Sequence, residues 1–384
     1  MDQPVALAKS ATGCGKILAM KACWFKRHDA IAPVGGAVSS PPFANYTPRR
    51  GGTPRPTKIP ARTRVFATRP KLHAALLTSV LLWLLCPATF AASNEVARGL
   101  AWLAGQQRAD GSWSTNAALN ALPVLAFLAD GNLPSTTGYG TVIDRGVRYL
   151  LTQQTTDGAF TNGGALMYGH GLTTLVLAEI LGMVQRETGV RPRLTKAVEL
   201  ILKAQAVPKG DVHAGGWRHF PHSTDSDLAV TVWQVAALRA ALNTGLRIPR
   251  EAFDRAAHYI QRCEHPRGGF AYQPGGFPNA GRTAAAIVTL RMCGKFSSQT
   301  ADWHSAKPVT WDDEYFYHGT FFCAQTGLKF DATLLTKLQN SDGSWPLPPH
   351  SRDEAEAGPL FTTSLAILAL TAKDHYLPVF SVTD

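Results

Sequence analysis

Residues 98–114 read RGLAWLAGQQRADGSWS, and residues 145–161 repeat the pattern in register as RGVRYLLTQQTTDGAFT. Residues 334–346, LLTKLQNSDGSWP, give a third copy near the end of the chain. Two looser copies lie between them: AVELILKAQ at 197–205 followed by GGWRHF at 215–220, and AAHYIQRCEHPRGGFAY at 256–272. In each copy an amphipathic stretch reaches a glutamine, passes a glycine-rich turn and ends on an aromatic residue. The glutamines are Gln107, Gln154, Gln205, Gln261 and Gln339; the aromatics are Trp113, Phe160, Trp217, Phe270 and Trp345. Gly99, Trp102 and Leu103, like Gly146, Tyr149 and Leu150, fall at i, i+3 and i+4 and mark the buried stripe of a helix. Asp-Gly pairs at 110–111, 157–158 and 342–343 stop that helix, since glycine tolerates positive φ and aspartate bonds its own backbone. The glutamine is placed to satisfy carbonyls left over at the helix end.

A second helix follows each aromatic, rich in Ala, Leu, Thr and Val and nearly free of charge. The six are NAALNALPVLAFLADG, GHGLTTLVLAEILGM, SDLAVTVWQVAALRAALNTG, GRTAAAIVTLRMCG, YFYHGTFFCAQTG and FTTSLAILALTA. Helices this apolar are buried on most sides. Polar-striped helices outside and apolar helices inside, joined as sequential hairpins, predict two concentric rings: an all-α, α6/α6-type α/α toroid. Residues 296–310 are expected to supply the sixth outer helix.

RGLAWLAGQQRADGSW resembles the QW motif of the prenyltransferase and squalene oxidase repeat superfamily, which includes squalene–hopene cyclases and protein prenyltransferase β subunits. The resemblance spans nearly all of residues 95–372, and the segments MYGHGLTTLVLAEILGM, SDLAVTVWQVAALRAA and WDDEYFYHGTFFCAQTG further resemble uncharacterised exported bacterial members. It implies the toroid strongly and a reaction only weakly, because one fold hosts many chemistries. Class II terpene cyclases of the superfamily protonate an alkene with an Asp-x-Asp-Asp-Thr-Ala segment. The nearest match is Thr224-Asp225-Ser226-Asp227-Leu228-Ala229-Val230, which puts Ser226 in the proton donor's place. A serine hydroxyl cannot protonate an alkene, so a cyclase-like enzyme would have to use Asp225 and Asp227 as its catalytic pair. Prenyltransferase β subunits hold zinc with an Asp-x-Cys pair and a distant histidine. Phe316-Tyr317-His318 matches the histidine segment, while the expected mature chain lacks Asp-x-Cys. Three protein ligands are needed for such a site, and no metal is assigned.

The densest polar group is His213, His219, His222, Asp225 and Asp227, flanked by Trp217 and Trp233 in the loop entering the third apolar helix. It reads either as a metal or acid/base site or as a capping loop in which Ser223, Thr224 or Asp225 caps the helix. His170, between Gly169 and Gly171, either faces the barrel interior or caps a turn. The candidate ligand-binding residues are therefore His170, Trp217, His219, Trp233, Tyr317 and His318. Asp312, Asp313 and Glu314 precede an apolar helix and suit its positive end. The run 352–356 reads as a solvated loop. Walker, dinucleotide, nucleophile-elbow, His-Glu-x-x-His and thioester motifs are absent from the expected mature chain, so no cofactor is named.

The chain of 384 residues is 45% hydrophobic and 17% charged, a balance that builds a large core rather than disorder. Its net charge of +11 invites a nucleic-acid reading, but residues 1–91 hold 13 Lys/Arg against 2 Asp/Glu. The remainder carries 25 of each sign, so the folded part is neutral and no nucleic-acid partner is expected. Residues 72–86, LHAALLTSVLLWLLC, follow a basic stretch and lead into small residues at 88–92. That order predicts a signal peptide over 65–91, cleaved after Ala91, behind a disordered basic leader or an early-called start at 1–64. Uncleaved, it would be an N-terminal membrane anchor. The domain is expected at 92–384, exported to the periplasm or the exterior. Cys263, Cys293 and Cys323, the three cysteines left after cleavage, cannot all pair and read as small buried hydrophobes. The function expected is a toroid binding an apolar small molecule, glycan or protein partner without cyclase chemistry; the alternative is a cyclase-like enzyme using Asp225 and Asp227.

Overall fold

The computed structural model describes residues 94–160, 166–181, 183, 189–295, 309–326 and 330–380. The expected leader and signal peptide lie outside these residues, as does the expected outer helix through residue 308. The described body is all-helical, with three isolated bridges in place of strands.

The described residues form twelve α-helices, in order. They are α1 (Asn94–Gly105), α2 (Ala117–Ala129), α3 (Gly140–Thr152), α4 (Leu166–Leu181), α5 (Val190–Ala206), α6 (Leu228–Asn243), α7 (Arg250–Arg262), α8 (Ala280–Met292), α9 (Phe316–Gln325), α10 (Ala332–Leu338), α11 (Arg352–Ala357) and α12 (Pro359–Leu370). The apolar helices α2, α4, α6, α8, α9 and α12 each pack on the next, and α12 packs back on α2. Six helices that meet in this order, with the last touching the first, form a closed ring. The polar-striped helices lie outside it: α1 against α12 and α2, α5 against α4 and α6, and α7 against α6 and α8. An outer helix such as α3 buries only Gly140, Ile143, Gly146, Val147 and Leu150, the i, i+3, i+4, i+7 stripe, whereas α2 buries every residue but Leu119.

The repeat motif is a staple between successive outer helices. Gln107 Nε2 donates to Gly111 O in its own turn (3.0 Å) and to Val142 O at the start of α3 (2.9 Å), while its Oε1 accepts from Arg145. Gln154 bridges Gly158 O to Arg193 O, and Gln205 bridges Gly215 O to Ala252 O while accepting from Arg255. Gln339 does the same across the seam of the ring, donating to Gly343 O and Glu95 O and accepting from Arg98. The indole N–H of Trp113, Trp217 and Trp345 bonds Leu103 O, Ile201 O and Leu335 O, pinning each aromatic under its own outer helix. The motif's glycine makes room for the preceding repeat's ring: a Cβ on Gly146 would lie 2.8 Å from Trp113, and one on Gly99 would lie 2.7 Å from Trp345. Gly343, at φ 94°, sits so near Arg98 that a Cβ would meet its carbonyl oxygen at 2.5 Å.

In the fourth copy the assignment of Gln261 does not hold. His265 N bonds Gly269 O and Gly268 N bonds His265 O, as Arg108, Ser112 and Gly111 do in the first copy. That register puts exposed Glu264 in the glutamine's place.

Candidate functional site

The starts of the inner helices share one end of the barrel. Met167 N bonds His219 O in the loop before α6, Leu228 N bonds Tyr272 O before α8, and Glu354 reaches from α11 to the start of α9. Asparagine and aspartate caps hold three of these starts. Asn116 accepts from Ala118 N, Asp227 from Val230 N (2.7 Å) and Asn279 from Arg282 N.

The cap of α6 is Asp227 rather than Ser223, Thr224 or Asp225. Both its carboxylate oxygens are engaged: Oδ1 by Val230 N–H and Oδ2 by the Tyr272 hydroxyl at 2.9 Å, with Arg218 Nη1 at 3.5 Å from Oδ2. The residue is fully buried, and burial pushes its carboxyl up to about 6 against the pull of Arg218. Asp225 is half-exposed and pairs with Arg218 Nε at 3.3 Å. The two aspartates thus share one guanidinium, whose plane also lies over the Tyr272 ring. Ser226, in the cyclase donor's place, is buried and donates from Oγ to His213 O at 2.7 Å, and its amide bonds His213 Nδ1. His222 stacks on exposed Phe220, and His219 contributes its carbonyl to the start of α4. Among the described residues no group of three or more His, Cys, Asp or Glu side chains is placed to hold a metal ion.

His170 is fully buried and faces the outer ring. Its Nδ1 accepts from Phe160 N, and its Nε2 lies 3.1 Å from Ala197 O on α5. Burial lowers its pKa to about 4, so a neutral ring joins the second turn to the third outer helix. Trp217 is likewise committed to its own repeat through Ile201 O. Tyr317 donates its hydroxyl to Pro346 O, and its ring meets Trp311 edge-on.

Two of the sequence-derived candidates meet inside the barrel. Trp233 on α6 lies 6.3 Å from the His318 ring on α9, 5.4 Å from Phe322 and 5.7 Å from Phe321, on which it stacks at 15°. In the ring order α8 separates α6 from α9, so these contacts cross the interior. Tyr168 of α4 meets Trp233 edge-on at 6.0 Å from another side. Burial drives the His318 pKa down to about 3, which makes its ring a neutral imidazole in an apolar setting. Tyr168, Phe321 and Phe322 were missed as site residues, because inward-facing aromatics on an all-buried helix leave no periodic signal.

A second omission is Glu354. The run 352–356 is not a solvated loop but part of helix α11, capped by Ser351, and Glu354 is fully buried. Its carboxylate accepts from the amides of Tyr317 (3.2 Å) and His318 (2.9 Å), capping α9 from outside. Burial pushes this carboxyl up to about 8 against those donors. The Ser-x-x-Glu pattern at 351–354 was the available signal.

The sequence pattern of the prenyltransferase alpha-alpha toroid domain matches residues 119–312, half of the chain. The chain belongs to that family. An α-1,6-mannanase of Salegentibacter sp., solved as an inactive variant with α-1,6-mannotriose, is similar to this toroid, with a TM-score of 0.53 at 9% identity over 73% of this chain and 98% of that one. A protein from Actinoplanes is 16% identical over 73% of this chain and 98% of its own, with a TM-score of 0.48. A type II terpene cyclase from Scytonema is 15% identical over 75% and 98%, with a TM-score of 0.37. At these identities the likeness is one of fold. Comparison with curated proteins finds no matching sequence. The three cysteines of the toroid are free and buried, in keeping with their reading as core residues.

Proposed function

We propose that this toroid binds an apolar small molecule against the aromatic interior of its barrel and carries out no cyclase chemistry. The observation that carries this is the group Tyr168, Trp233, His318, Phe321 and Phe322, drawn from three inner helices and buried together around a neutral imidazole. Aromatic faces recognise apolar surface through area and ring geometry, and a few polar tips such as Tyr168 and His318 orient what lies there.

Cyclase chemistry needs an acid whose proton is aimed at an alkene. Asp227 spends both oxygens on its helix cap and on Tyr272 beside Arg218, and Asp225 is turned to the same guanidinium. Burial raises the Asp227 carboxyl, but a proton held there faces Tyr272 and Arg218 rather than the barrel's aromatic interior. The proposal includes export: the basic leader, apolar run and small-residue exit at residues 62–92 address the domain to the periplasm or the exterior. The test is incubation of the purified full chain with squalene, followed by mass spectrometry of the extract. Recovery of unreacted squalene is expected, and a cyclised product would overturn the reading.

A further inference from the structure

The opposite end of the barrel, where the inner helices finish, is covered by the chain's own last described segment. After α12, residues Ala372–Asp374 make a short 3-10 turn, and His375 then takes a left-handed backbone at φ 54°, uncommon for a non-glycine residue. The chain reverses there and crosses the barrel end. Tyr376 lies against Gly131 just beyond α2, and the 3-10 turn Pro378–Phe380 packs on α6 and α8. The amide of Val379 bonds the carboxyl of Glu179 near the end of α4, and the Phe380 ring meets Phe321 of α9 edge-on at 5.5 Å. A cleft lined by Ala129, Gln325, Leu368, Thr371 and His375 runs beside this segment. A stretch of nine residues therefore touches or adjoins the ends of all six inner helices. Val379 is fully buried and Leu377 is 5% exposed.

Three features mark this cover. Phe380 touches Phe321, which stacks on Trp233, so an aromatic path runs from the barrel end to the interior without a break. Among the described residues the contacts of this segment include the apolar side chains Leu377, Val379 and Phe380 and the amide of Val379. Glu179 is a buried acid in this wall: burial raises its carboxyl to about 7, and the Val379 amide opposes that rise. Helical spacing puts Glu179 and Tyr168 eleven residues apart on one face of α4, so both look the same way along the helix.

We infer that the C-terminal segment is a built-in occupant of an apolar ligand entrance, with Leu377, Val379 and Phe380 standing where an acyl or isoprenoid chain would enter against Phe321. This rests on the apolar-binding reading above and adds its route and its competitor. A ligand reaching the barrel from this side must displace the segment, so affinity for the ligand is lowered by the stability of the plug.

The experiment compares the full chain with one ending at Asp374, using the apolar dye N-phenyl-1-naphthylamine, with far-UV circular dichroism to check that both keep their helices. A Phe380→Ala variant of full length serves where the shortened chain does not fold. Removing the segment is expected to tighten dye binding at least tenfold, and a synthetic HYLPVF peptide, residues 375–380, is expected to displace the dye. Equal binding by the full and shortened chains, or binding that the peptide leaves untouched, overturns the plug while sparing the ligand reading. Absence of binding by every folded form overturns both.

Discussion

Replacing Gln339 by leucine tests whether the ring is closed by the same device that joins its neighbours. The substitution keeps approximate volume and removes the amide that donates to Gly343 O at 2.9 Å and Glu95 O at 2.8 Å, together with the acceptor of Arg98. Each such side-chain bond contributes ~1 kcal/mol net, and half-buried carbonyls left without a donor add to the loss, so a cost of ~2–3 kcal/mol is expected. Gln107→Leu is the internal standard, because that amide makes the same pair of bonds at 3.0 and 2.9 Å within the run of the chain. Urea unfolding followed by far-UV circular dichroism reads both, and an unchanged slope keeps the comparison to stability alone. A closed toroid makes the two variants equal within error. If Gln107→Leu loses ~2 kcal/mol and Gln339→Leu loses less than ~0.5 kcal/mol, the first and last repeats are not stapled and the ring is not closed by this motif.

Gly146→Ala brings a Cβ to 2.8 Å from Trp113 and 3.0 Å from Val124, and such overpacking costs ~1–3 kcal/mol in a thermal melt. Gly105→Ala, with nothing within 4 Å, is neutral or stabilising in the same assay. Glu354→Ala strips the acceptor from the buried amides of Tyr317 and His318 and is expected to cost ~2–4 kcal/mol by urea unfolding, part of it recovered in Glu354→Gln. Glu179, whose carboxyl burial lifts from 4.5 to about 7, holds its proton more tightly folded than unfolded. Its contribution is therefore greatest below pH 4.5 and falls as pH rises through 7. At ~1.4 kcal/mol per pH unit, Glu179→Gln should flatten the stability difference between pH 5 and pH 8 by up to ~3 kcal/mol. An unchanged pH profile would refute this placement of Glu179.

The sequence made the toroid legible because its signal is repeated: a Gly, a Gln, a turn glycine and an aromatic recur, and each has a contact that requires it. The first copy went wrong by nothing, whereas the fourth misled because glutamine at 261 lies three residues before the position that faces the turn. Caps were harder. Asp227, Ser223, Thr224 and Asp225 all suit a helix start, and only the backbone register chooses among them. Glu354 shows the opposite limit. A charged run normally means solvent; Ser-x-x-Glu at 351–354 marks a helix start, but it does not announce that the acid crosses to a helix start 36 residues earlier. The interior aromatics are not legible in the sequence for a related reason: when a helix is buried all round, as α4 and α6 nearly are, periodicity no longer separates the face toward the barrel from the face toward its neighbours.

Whether the aromatic barrel holds an apolar ligand without cyclase chemistry is read most directly by extracting the purified full chain with organic solvent and identifying the extract by mass spectrometry. One apolar compound near equal stoichiometry with the protein is expected, lost from Trp233→Ala and retained by Asp227→Asn. No apolar compound above background, or a cyclised product that disappears in Asp227→Asn, would contradict it.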